Sequence, residues 1–310
     1  MLSNVKKSPI MKPNLLIIIS LVFLAVSCNS QTAQTENTMP AAKTDTIPFT
    51  MVDTFPSNLA PTPKNLGSFN RIILEVGVND TVVRMLLDCG FPHTNFNRKV
   101  LEQIHQPFTI FDEKRELSTT DMTLYLNHTP LHLDTIHASY TDFDWDSYCD
   151  AILGYELFDR HIVEIDFEHR NIILHDVLPE KVSSYKAYDL HRVPEDAKFG
   201  MLPRVIFDGF VKKDGTKTDA WLLVDLGATV SLWYKDFRMQ LTTDSLKQDT
   251  TSQAYDLLRK TKQLNDYNIY ITEDYRIKQD GCLGVDYLSQ HNVIFDYPHN
   301  KLYLKPRNER

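Results

Sequence analysis

Short apolar runs separated by turn-forming residues recur along much of the chain. Residues 72–78 form one such run and are followed by Asn79 and Asp80, while residues 205–207 form another, ahead of a Lys-Asp-Gly sequence at 213–215. Asn-Asp and Asp-Gly pairs between apolar runs are typical of β-hairpins. Long stretches with the helical period of apolar positions are rare. The pattern therefore predicts a mostly β fold.

Each predicted hairpin is followed, further along the chain, by one of two similar segments. Residues 154–174 match residues 284–304 at a constant offset of 130 without a gap, and Gly, His, Val, Asp, His and Leu recur at equivalent positions. Self-similarity of this kind indicates a duplicated structural unit. We expect two similar lobes, over residues 61–178 and 185–310, joined through Pro179 and Glu180.

The fronts of the two copies also match, at an offset of 137, and each contains an Asp-x-Gly sequence after an apolar run. Asp88 precedes Gly90 in the first copy, and Asp225 precedes Gly227 in the second. A single Asp-x-Gly after a strand usually forms a turn in which the Asp side chain binds local backbone. Two copies related by a pseudo-twofold axis would bring their equivalent turns together. We therefore expect the two carboxylates to face each other between the lobes.

The repeated motif consists of two apolar residues, Asp-x-Gly, a Thr or Ser six residues after the aspartate, and an apolar-Leu-Gly sequence near the end of the lobe. The residues at these positions are Asp88, Cys89, Gly90, Thr94 and Gly154 in the first copy, and Asp225, Leu226, Gly227, Ala228, Ser231 and Gly284 in the second. This motif resembles that of the aspartic proteases, and the short lobes are most similar to retropepsin-like units fused in tandem, as in the bilobal pepsin-like enzymes.

The resemblance implies an all-β fold of two acid-protease-type β-barrel lobes, related by pseudo-twofold symmetry, with a cleft between them. It further implies that Asp88 and Asp225 are catalytic, that a peptide or protein is the substrate, and that neither a cofactor nor a metal is required. Because both aspartates belong to one chain, a monomer is sufficient for the dyad.

The chemistry of such a dyad follows from the closeness of its carboxyl groups. Two carboxyls about 3 Å apart cannot both ionise, so they share one proton. The ionised group draws a proton from a bound water that attacks the peptide carbonyl, and the protonated group stabilises the developing oxyanion. The protonation states belong to the coupled pair, so the two roles cannot be assigned to individual aspartates from the sequence.

The residues between Asp and Gly depart from the family pattern. The family usually has Thr or Ser there, and its hydroxyl takes part in a hydrogen-bond grip across the two lobes. In this chain the positions hold Cys89, a weak donor, and Leu226, which has no donor. The grip must then be rebuilt by other groups or be absent. This departure raises an alternative function, a catalytically impaired homologue that binds extended peptide or a partner protein in the cleft.

The flap that closes over substrate in this family normally turns on glycine. None of the ten glycines lies between Gly90 and Gly154 or between Gly227 and Gly281. A turn at 127–128 or 244–245 would have to serve instead. Residues 235–265 are polar and partly helical in pattern, which favours an inserted helix over the cleft.

The N-terminus has the pattern of an export signal. Lysines precede an apolar run over 15–26, which is too short to span a bilayer comfortably and ends at Ser27 and Cys28. The sequence around Cys28 resembles a bacterial lipobox, with Ala25 where Leu is usual, so we expect residues 1–27 to be a lipoprotein-type signal peptide and Cys28 to be lipidated. A plain signal peptide remains the alternative.

Residues 28–60 are rich in Thr, Gln, Asn, Ala, Ser and Pro, which predicts a flexible tether. We expect an exported protein whose partner is the membrane, bound through the lipid on Cys28. The expected location is the bacterial cell envelope, at the outer membrane, with the periplasmic or surface face left open. A purely structural envelope lipoprotein would explain the tether but not the paired aspartates.

The charge bears on the class of partner, and the cysteine content limits the number of disulfides. The chain has 41 acidic and 33 basic residues, a formal net charge of −8, which does not favour a nucleic-acid partner. Beyond Cys28 only Cys89, Cys149 and Cys282 remain, so at most one internal disulfide is possible.

Other candidate groups carry weaker signals. His128 and His132 have the His-x3-His spacing of a zinc site, but Pro130 between them argues against the helix that such sites use. Cys89 with His93 is a faint candidate for a nucleophile and its base. The histidines that recur in both copies, His161/His291 and His169/His299, are expected to serve packing or turns.

Overall fold

The computed structural model describes residues 44–53, 70–110, 115–118, 121–134, 136–139, 149–194, 201–233, 257 and 279–307. Within these residues the chain consists mainly of β-strands with a few short helices, so the all-β prediction is confirmed. The expected signal peptide and Cys28 lie outside them, as do residues 28–43 and 54–60 of the expected tether. None of the helices among the described residues has the length and apolar character needed to span a membrane.

The strands of the first lobe are β1 (Thr44–Asp53), β2 (Asn70–Val78), β3 (Thr81–Leu87), β4 (Asn95–Asn97), β5 (Thr109–Ile110), β6 (Arg115–Ser118), β7 (Met122–Leu126), β8 (Thr129–Leu133), β9 (Ile136–Ser139), β10 (Ala151–Leu153), β11 (Ile162–Asp166) and β12 (Asn171–His175). Its helices are α1 (Arg98–Gln103) and α2 (Glu156–Arg160). The connection to the second lobe, expected at Pro179 and Glu180, is the 3-10 turn Glu180–Ser184.

The strands of the second lobe are β13 (Lys186–Pro194), β14 (Met201–Val211), β15 (Lys217–Val224), β16 (Leu232–Trp233), β17 (Gly281–Leu283), β18 (His291–Asp296) and β19 (Lys301–Pro306). Its short helices are α3 (Val285–Leu288) and the 3-10 turn Tyr297–His299. In the window 235–265, Leu257 is helical and fully buried in the core. The rest of that window, with the alternative flap turn at 244–245, lies outside the described residues.

Both hairpins predicted from the apolar pattern are present. Strands β2 and β3 pair antiparallel across the turn at Asn79 and Asp80, where Asn79 has a φ of 51°. Strands β14 and β15 pair across a turn that contains Gly215, with a φ of 84°. Asn and Gly adopt this left-handed conformation more readily than other residues, which explains their place in the turns.

The tether prediction is wrong for residues 44–53, because they form β1. The first half of β1 pairs with β12, Thr44 opposite His175, and the second half pairs with β2, Phe49 opposite Leu74. Ile47 and Phe49 are buried in the core at 1% and 5% exposure. Ile47 and Phe49 are two positions apart and therefore lie on the same face of a strand. Burial of this face favours a strand despite the polar composition of the surrounding segment. The first lobe therefore begins at β1 rather than at residue 61.

Strand β13 repeats in the second lobe what β1 does in the first. Its first half pairs with β19 and its second half with β14. The transition between partners is marked by equivalent backbone bonds, because the Phe49 N–H donates to the Arg170 carbonyl and the Leu190 N–H donates to the Asn300 carbonyl, both at 2.9 Å. Arg170 and Asn300 are 130 residues apart, the offset of the sequence repeat.

A single sheet joins the two lobes, in the order β1, β12, β11, β18, β19, β13. At its centre β11 pairs antiparallel with β18, with Val163 opposite Phe295, Glu164 opposite Ile294, and Ile165 opposite Val293. Glu164 and Ile294 are equivalent under the 130-residue offset, so the pairing maps onto itself when the lobes are exchanged. The pseudo-twofold axis therefore passes between these two residues, as an isologous contact requires.

The turn at Asn127 and His128, one of the two alternatives for a flap, is hydrogen-bonded to strand β1. The Asp45 carboxylate of β1 accepts hydrogen bonds from Asn127 Nδ2 and the His128 N–H, both at 3.1 Å, and from Thr129 Oγ1 at 2.7 Å. Because β1 belongs to the sheet that joins the lobes, the turn is held against that sheet.

Of the two recurrent histidine pairs, His169 and His299 stabilise turns, as predicted. His169 Nδ1 lies 2.7 Å from Asp166 Oδ2, and His299 Nδ1 lies 2.7 Å from Asp296 Oδ1. Each aspartate also accepts the backbone N–H of its histidine. His291 is buried and contacts the Tyr287 carbonyl oxygen at 3.0 Å, which is a packing role.

Candidate active site

The two aspartates leave equivalent strand ends. Asp88 follows β3, which runs parallel to β10, and Asp225 follows β15, which runs parallel to β17. The Asp88 N–H donates to the Leu153 carbonyl and the Asp225 N–H donates to the Leu283 carbonyl, both at 3.0 Å. Each aspartate is thus fixed to the repeated lobe-end segment of its own lobe.

The structure brings the two Asp-x-Gly turns face to face, as the duplication predicted. A Cβ atom added to Gly227 would lie 2.1 Å from Asp88 Oδ2, and one added to Gly90 would lie 2.5 Å from Asp225 Cγ. Each glycine backbone therefore packs directly against the carboxyl group of the other lobe, and a side chain at either position would displace that carboxyl. This close approach explains why both motifs contain glycine.

The surroundings of the carboxyl pair favour the binding of one proton. Burial, the negative charge of Asp225 and a hydrogen bond with Asp225 raise the pKa of Asp88 well above its usual value. The charge of Arg71 and the Gly90 N–H, which lies 2.9 Å from Asp88 Oδ1, act in the opposite direction. Two facing carboxyls in this environment are expected to titrate as a coupled pair.

The two carboxyl groups have different hydrogen-bond donors. Asp225 Oδ1 accepts the N–H groups of Gly227 at 2.7 Å and Ala228 at 3.0 Å, and the Cys282 thiol lies 3.9 Å from Asp225 Oδ2. Asp88 accepts only the Gly90 N–H among the bonds described. Among the described bonds, the Asp225 carboxyl therefore has more backbone donors than the Asp88 carboxyl.

Cys89 supplies one half of a bridge between the lobes. Its thiol donates to the Val224 carbonyl at 3.3 Å and accepts the Leu226 N–H at 3.4 Å, both in the second lobe. Leu226, the equivalent residue, is fully buried, and its side chain has no donor with which to return the contact. The grip expected from the family is therefore present in one direction only.

Cys89 is not suited to act as a nucleophile. Burial and the charges of Asp225 and Asp88 raise the pKa of its thiol well above the usual value, so the reactive thiolate is disfavoured. His93 Nδ1 instead lies 3.8 Å from Glu156 Oε1. Cys89, Cys149 and Cys282 are all buried and free, so no disulfide forms among them.

Thr94 and Ser231 connect the two Asp-x-Gly turns to the lobe-end glycines. The Gly154 N–H donates to Thr94 Oγ1 at 3.2 Å, and the Gly284 N–H donates to Ser231 Oγ at 2.8 Å. A Cβ atom on Gly154 would lie 2.6 Å from the His93 carbonyl carbon, and one on Gly284 would lie 2.7 Å from the Ala228 oxygen. The two glycines are thus required by the close packing of the turn against the lobe end.

Two supporting carboxylates were missed by the sequence reasoning. Thr94 Oγ1 donates to Glu156 Oε2 at 2.9 Å, and Ser231 Oγ donates to Asp286 Oδ1 at 2.6 Å. Both carboxylates also accept the backbone N–H of the same Thr or Ser. Glu156 and Asp286 are 130 residues apart, so an acidic residue two positions after each lobe-end glycine was a signal available in the repeat.

Arg71 is a further residue of the site that the motif does not contain. Its Nη1 atom donates to the Gly227 carbonyl oxygen of the second lobe. Its Nε atom is buried and, among the described residues, has no hydrogen-bond partner. Its positive charge lowers the pKa of Asp88. An arginine of the first lobe thus contacts the Asp-x-Gly turn of the second lobe.

His132, one of the two histidines with the zinc-site spacing, lies next to two aspartates. Among the described residues, the ligand atoms of Asp121, His132 and Asp134 lie within 4.8 Å of one another, and all three side chains are exposed. His132 Nδ1 contacts Thr123 Oγ1 at 3.3 Å, and its Nε2 lies 3.5 Å from Asp134 Oδ1. The group of potential metal ligands around His132 thus consists of His132 and two aspartates.

No protein-family model and no curated protein matches the chain. Solved structures do match, among them the aspartic proteinase from Irpex lacteus, with a TM-score of 0.50 and 12% identity over 86% of this chain and 98% of that chain. A retropepsin-like aspartic protease from Rickettsia conorii matches with a TM-score of 0.30 and 12% identity, over 44% of this chain and 94% of that chain. The likeness to the Irpex lacteus structure shows that the chain has the fold of a pepsin-like aspartic proteinase.

Proposed function

We propose that this protein is an aspartic endopeptidase that hydrolyses peptide bonds with a water molecule activated by Asp88 and Asp225. The observation that carries the proposal is the contact between the two carboxyl groups at the junction of the lobes, where burial and Asp225 raise the pKa of Asp88 well above its usual value. Two carboxyls that share one proton supply both the base and the acid that peptide hydrolysis by water needs.

The hydrogen bonds of the pair suggest how the two roles divide. Asp225 accepts two backbone N–H groups and Asp88 accepts one, so the shared proton is expected on Asp88 in the resting state. Ionised Asp225 then draws a proton from water, and protonated Asp88 donates a hydrogen bond to the carbonyl oxygen that becomes an oxyanion. Both carboxyls keep some solvent exposure, as access by a substrate requires.

The biological setting of this activity is part of the proposal. The substrate is a peptide or protein, and the enzyme acts outside the cytoplasm, held by a lipid on Cys28 in the bacterial cell envelope at the outer membrane. The lysines, the apolar run and the lipobox-like sequence of the N-terminus support this location. One chain is sufficient for activity because it supplies both aspartates.

A second candidate function is peptide or partner binding without catalysis. The observation that favours it is Leu226, which leaves the bridge between the lobes with only the half that Cys89 supplies. A dyad must be held within about half an ångström of its productive geometry, so a weaker bridge would reduce catalysis before it abolished binding.

The test is incubation of the folded chain with a diverse peptide mixture from acid to neutral pH, followed by mass spectrometry. We expect cleavage by the unaltered protein and by Asp189→Asn, an exposed control aspartate on β13, and none by Asp88→Asn or Asp225→Asn. Bound but intact peptides at every pH would reject the enzyme and support the binding function.

A further inference from the structure

Arg71 makes a contact between the two lobes at the Asp225-Leu226-Gly227 turn. It lies on β2 opposite Val52 of β1, and its Nη1 atom donates to the Gly227 carbonyl oxygen. The backbone of Gly227 in turn packs against the Asp88 carboxyl, since an added Cβ atom would lie 2.1 Å from Oδ2. Arg71 therefore holds the piece of second-lobe backbone that limits the position of Asp88.

The contact lies where the pseudo-symmetric bridge is incomplete. The Cys89 thiol reaches the Val224 carbonyl and the Leu226 N–H, so the first lobe holds the second. By symmetry, a hydroxyl at position 226 would reach the backbone at Leu87 and Cys89, but Leu226 has none. Arg71 adds a second polar contact to the same turn, also from the first lobe.

The position in the second lobe that is equivalent to Arg71 does not hold an arginine. Ile73 pairs with Leu86 in the first hairpin, and Arg204 pairs with Leu223 in the second. Leu86 and Leu223 are equivalent at the offset of 137, so Arg71 corresponds to Leu202. Leu202 is buried in a small apolar cluster with Leu223 and Cys282. A leucine at position 71 is therefore a replacement that the fold already accommodates.

Arg71 also changes the electrostatics of the pair. The charged and titratable groups that the described residues place near Asp88 are Asp225 from the opposite turn, the thiols of Cys89 and Cys282, and Arg71 from β2. Both thiols have pKa values raised well above the usual range by burial, and they stay neutral in the range where carboxyls titrate. Arg71 is the cation that acts on Asp88, and it favours the ionised form.

We propose that Arg71 is a positioning residue with two roles: it supplies a contact between the lobes where Leu226 has no side-chain donor, and its charge favours the ionised form of Asp88. The role in catalysis rests on the proposed peptidase function. The two roles are separable because a neutral hydroxyl at position 226 can replace the contact but not the charge.

The first experiment measures kcat/KM for peptide cleavage across pH in Arg71→Leu, Arg71→Lys, Leu226→Thr and the double variant Arg71→Leu/Leu226→Thr. Loss of the contact and charge in Arg71→Leu is expected to lower kcat/KM at least about tenfold and to move both limbs of the pH profile up by about one unit. Arg71→Lys retains the charge, so its profile should stay in place. The double variant should recover most of the rate while its profile remains shifted.

Two results would overturn the proposal. An unshifted profile in Arg71→Leu would remove the electrostatic role, and failure of Leu226→Thr to recover the rate in the double variant would remove the positioning role. A general structural defect would lower the rate in Arg71→Leu without moving the pH limbs and would persist in the double variant, so the two measurements together distinguish it from both roles.

A second experiment keeps the inference testable if no peptide is cleaved. The titration of the Asp88 carboxyl carbon is followed by NMR, with Asp88→Asn used for assignment, and Arg71→Leu is expected to raise its midpoint by about one unit. The thermal midpoint should fall in Arg71→Leu and recover in the double variant. An unchanged carboxyl titration would reject the inference, whereas absent cleavage with a shifted titration would reject only the peptidase function.

Discussion

At the residue scale, Cys89 and Leu226 occupy equivalent positions but contribute differently to the contact between the lobes. The Cys89 thiol satisfies the Val224 carbonyl and the Leu226 N–H in a fully buried environment. Buried backbone groups that lose such a partner carry the full cost of their desolvation. A weak donor is therefore sufficient to make Cys89 important for the junction.

Replacement of Cys89 by valine tests this contact. Cys89→Val keeps the approximate size of the side chain but leaves both backbone groups without the thiol, so it should lower the free energy of unfolding by about 1–3 kcal/mol. Cys89→Thr, which restores a stronger donor and acceptor, should lose less. Chemical denaturation measures both changes.

Cys149→Val is the matched control for that measurement. Cys149 is also buried, in a small apolar cluster with Ile73, Leu86 and Ile152, and is expected to tolerate the same change with a smaller loss. Equal losses at Cys89 and Cys149 would indicate that the thiol contacts between the lobes contribute nothing of their own.

At the element scale, β1 shows how one strand can belong to two sheets. Its first half extends the sheet that joins the lobes, and its second half completes the sheet that carries β2 and β3. Asp45 on the same strand fixes the turn between β7 and β8. Removal of β1 would therefore expose edges of both sheets and free that turn.

Truncation at either side of β1 tests its place in the fold. A chain that begins at residue 44 should retain the stability of the longer chain, because it keeps every described strand. A chain that begins at residue 54 should unfold at a much lower temperature or aggregate, since the edges of β2 and β12 lose their partner. Thermal unfolding with light scattering would distinguish the two, and equal midpoints would contradict the role of β1.

Sequence patterns located the elements whose signals are local or repeated. The turns at Asn79 and Gly215 have the residues that their backbone conformations favour, and the 130-residue repeat placed Gly154 and Gly284 in equivalent lobe ends. The facing arrangement of Asp88 and Asp225 followed from the duplication. The turns are encoded by neighbouring residues, and the lobe ends and facing aspartates by segments that occur twice, so both kinds of feature can be predicted from the sequence.

Features that depend on distant pairing were not predictable in the same way. β1 lies in a polar segment, and its counterpart β13 has no obvious similarity to it in sequence, so the equivalence is visible only in the strand pairing. Arg71 joins the site through a carbonyl 156 positions away in the sequence. Contacts of this kind are set by tertiary structure, which overrides local preference.

At the scale of the whole molecule, the pseudo-twofold axis passes between Glu164 and Ile294, where the chain departs from its own symmetry. Glu164 is 3% exposed, and its carboxylate accepts His175 Nε2 at 2.9 Å and Lys181 Nζ at 2.6 Å. Lys181 belongs to the 3-10 turn that connects the lobes. This network therefore ties the connection to the central sheet.

Glu164 gives the stability of the molecule a pH dependence. Burial alone would raise the pKa of Glu164, but the hydrogen bonds and charges of His175 and Lys181 outweigh it and lower the pKa. The stabilisation is therefore present above the unfolded pKa of about 4.3 and is lost as pH falls through the lower folded value.

Glu164→Gln is expected to remove part of this pH dependence. At neutral pH it should cost about 1–2 kcal/mol, a figure reduced because Lys181 is half exposed and its charge is screened by solvent. In acid, below the lowered folded pKa of Glu164, the carboxyl is protonated and the variant and the unaltered protein should differ little. Urea denaturation at both pH values measures this, and an equal difference at both would show that the charge of Glu164 is not the cause.

The central claim is that Asp88 and Asp225 form one coupled pair, and the most direct measurement is the NMR titration of the Asp88 carboxyl carbon with and without Asp225→Asn. Burial and Asp225 raise the pKa of Asp88. The titration should therefore occur well above the usual range and move towards it when Asn replaces Asp225, because the competing charge is removed. An Asp88 carboxyl that titrates in the ordinary range, unchanged by Asp225→Asn, would contradict the coupled pair.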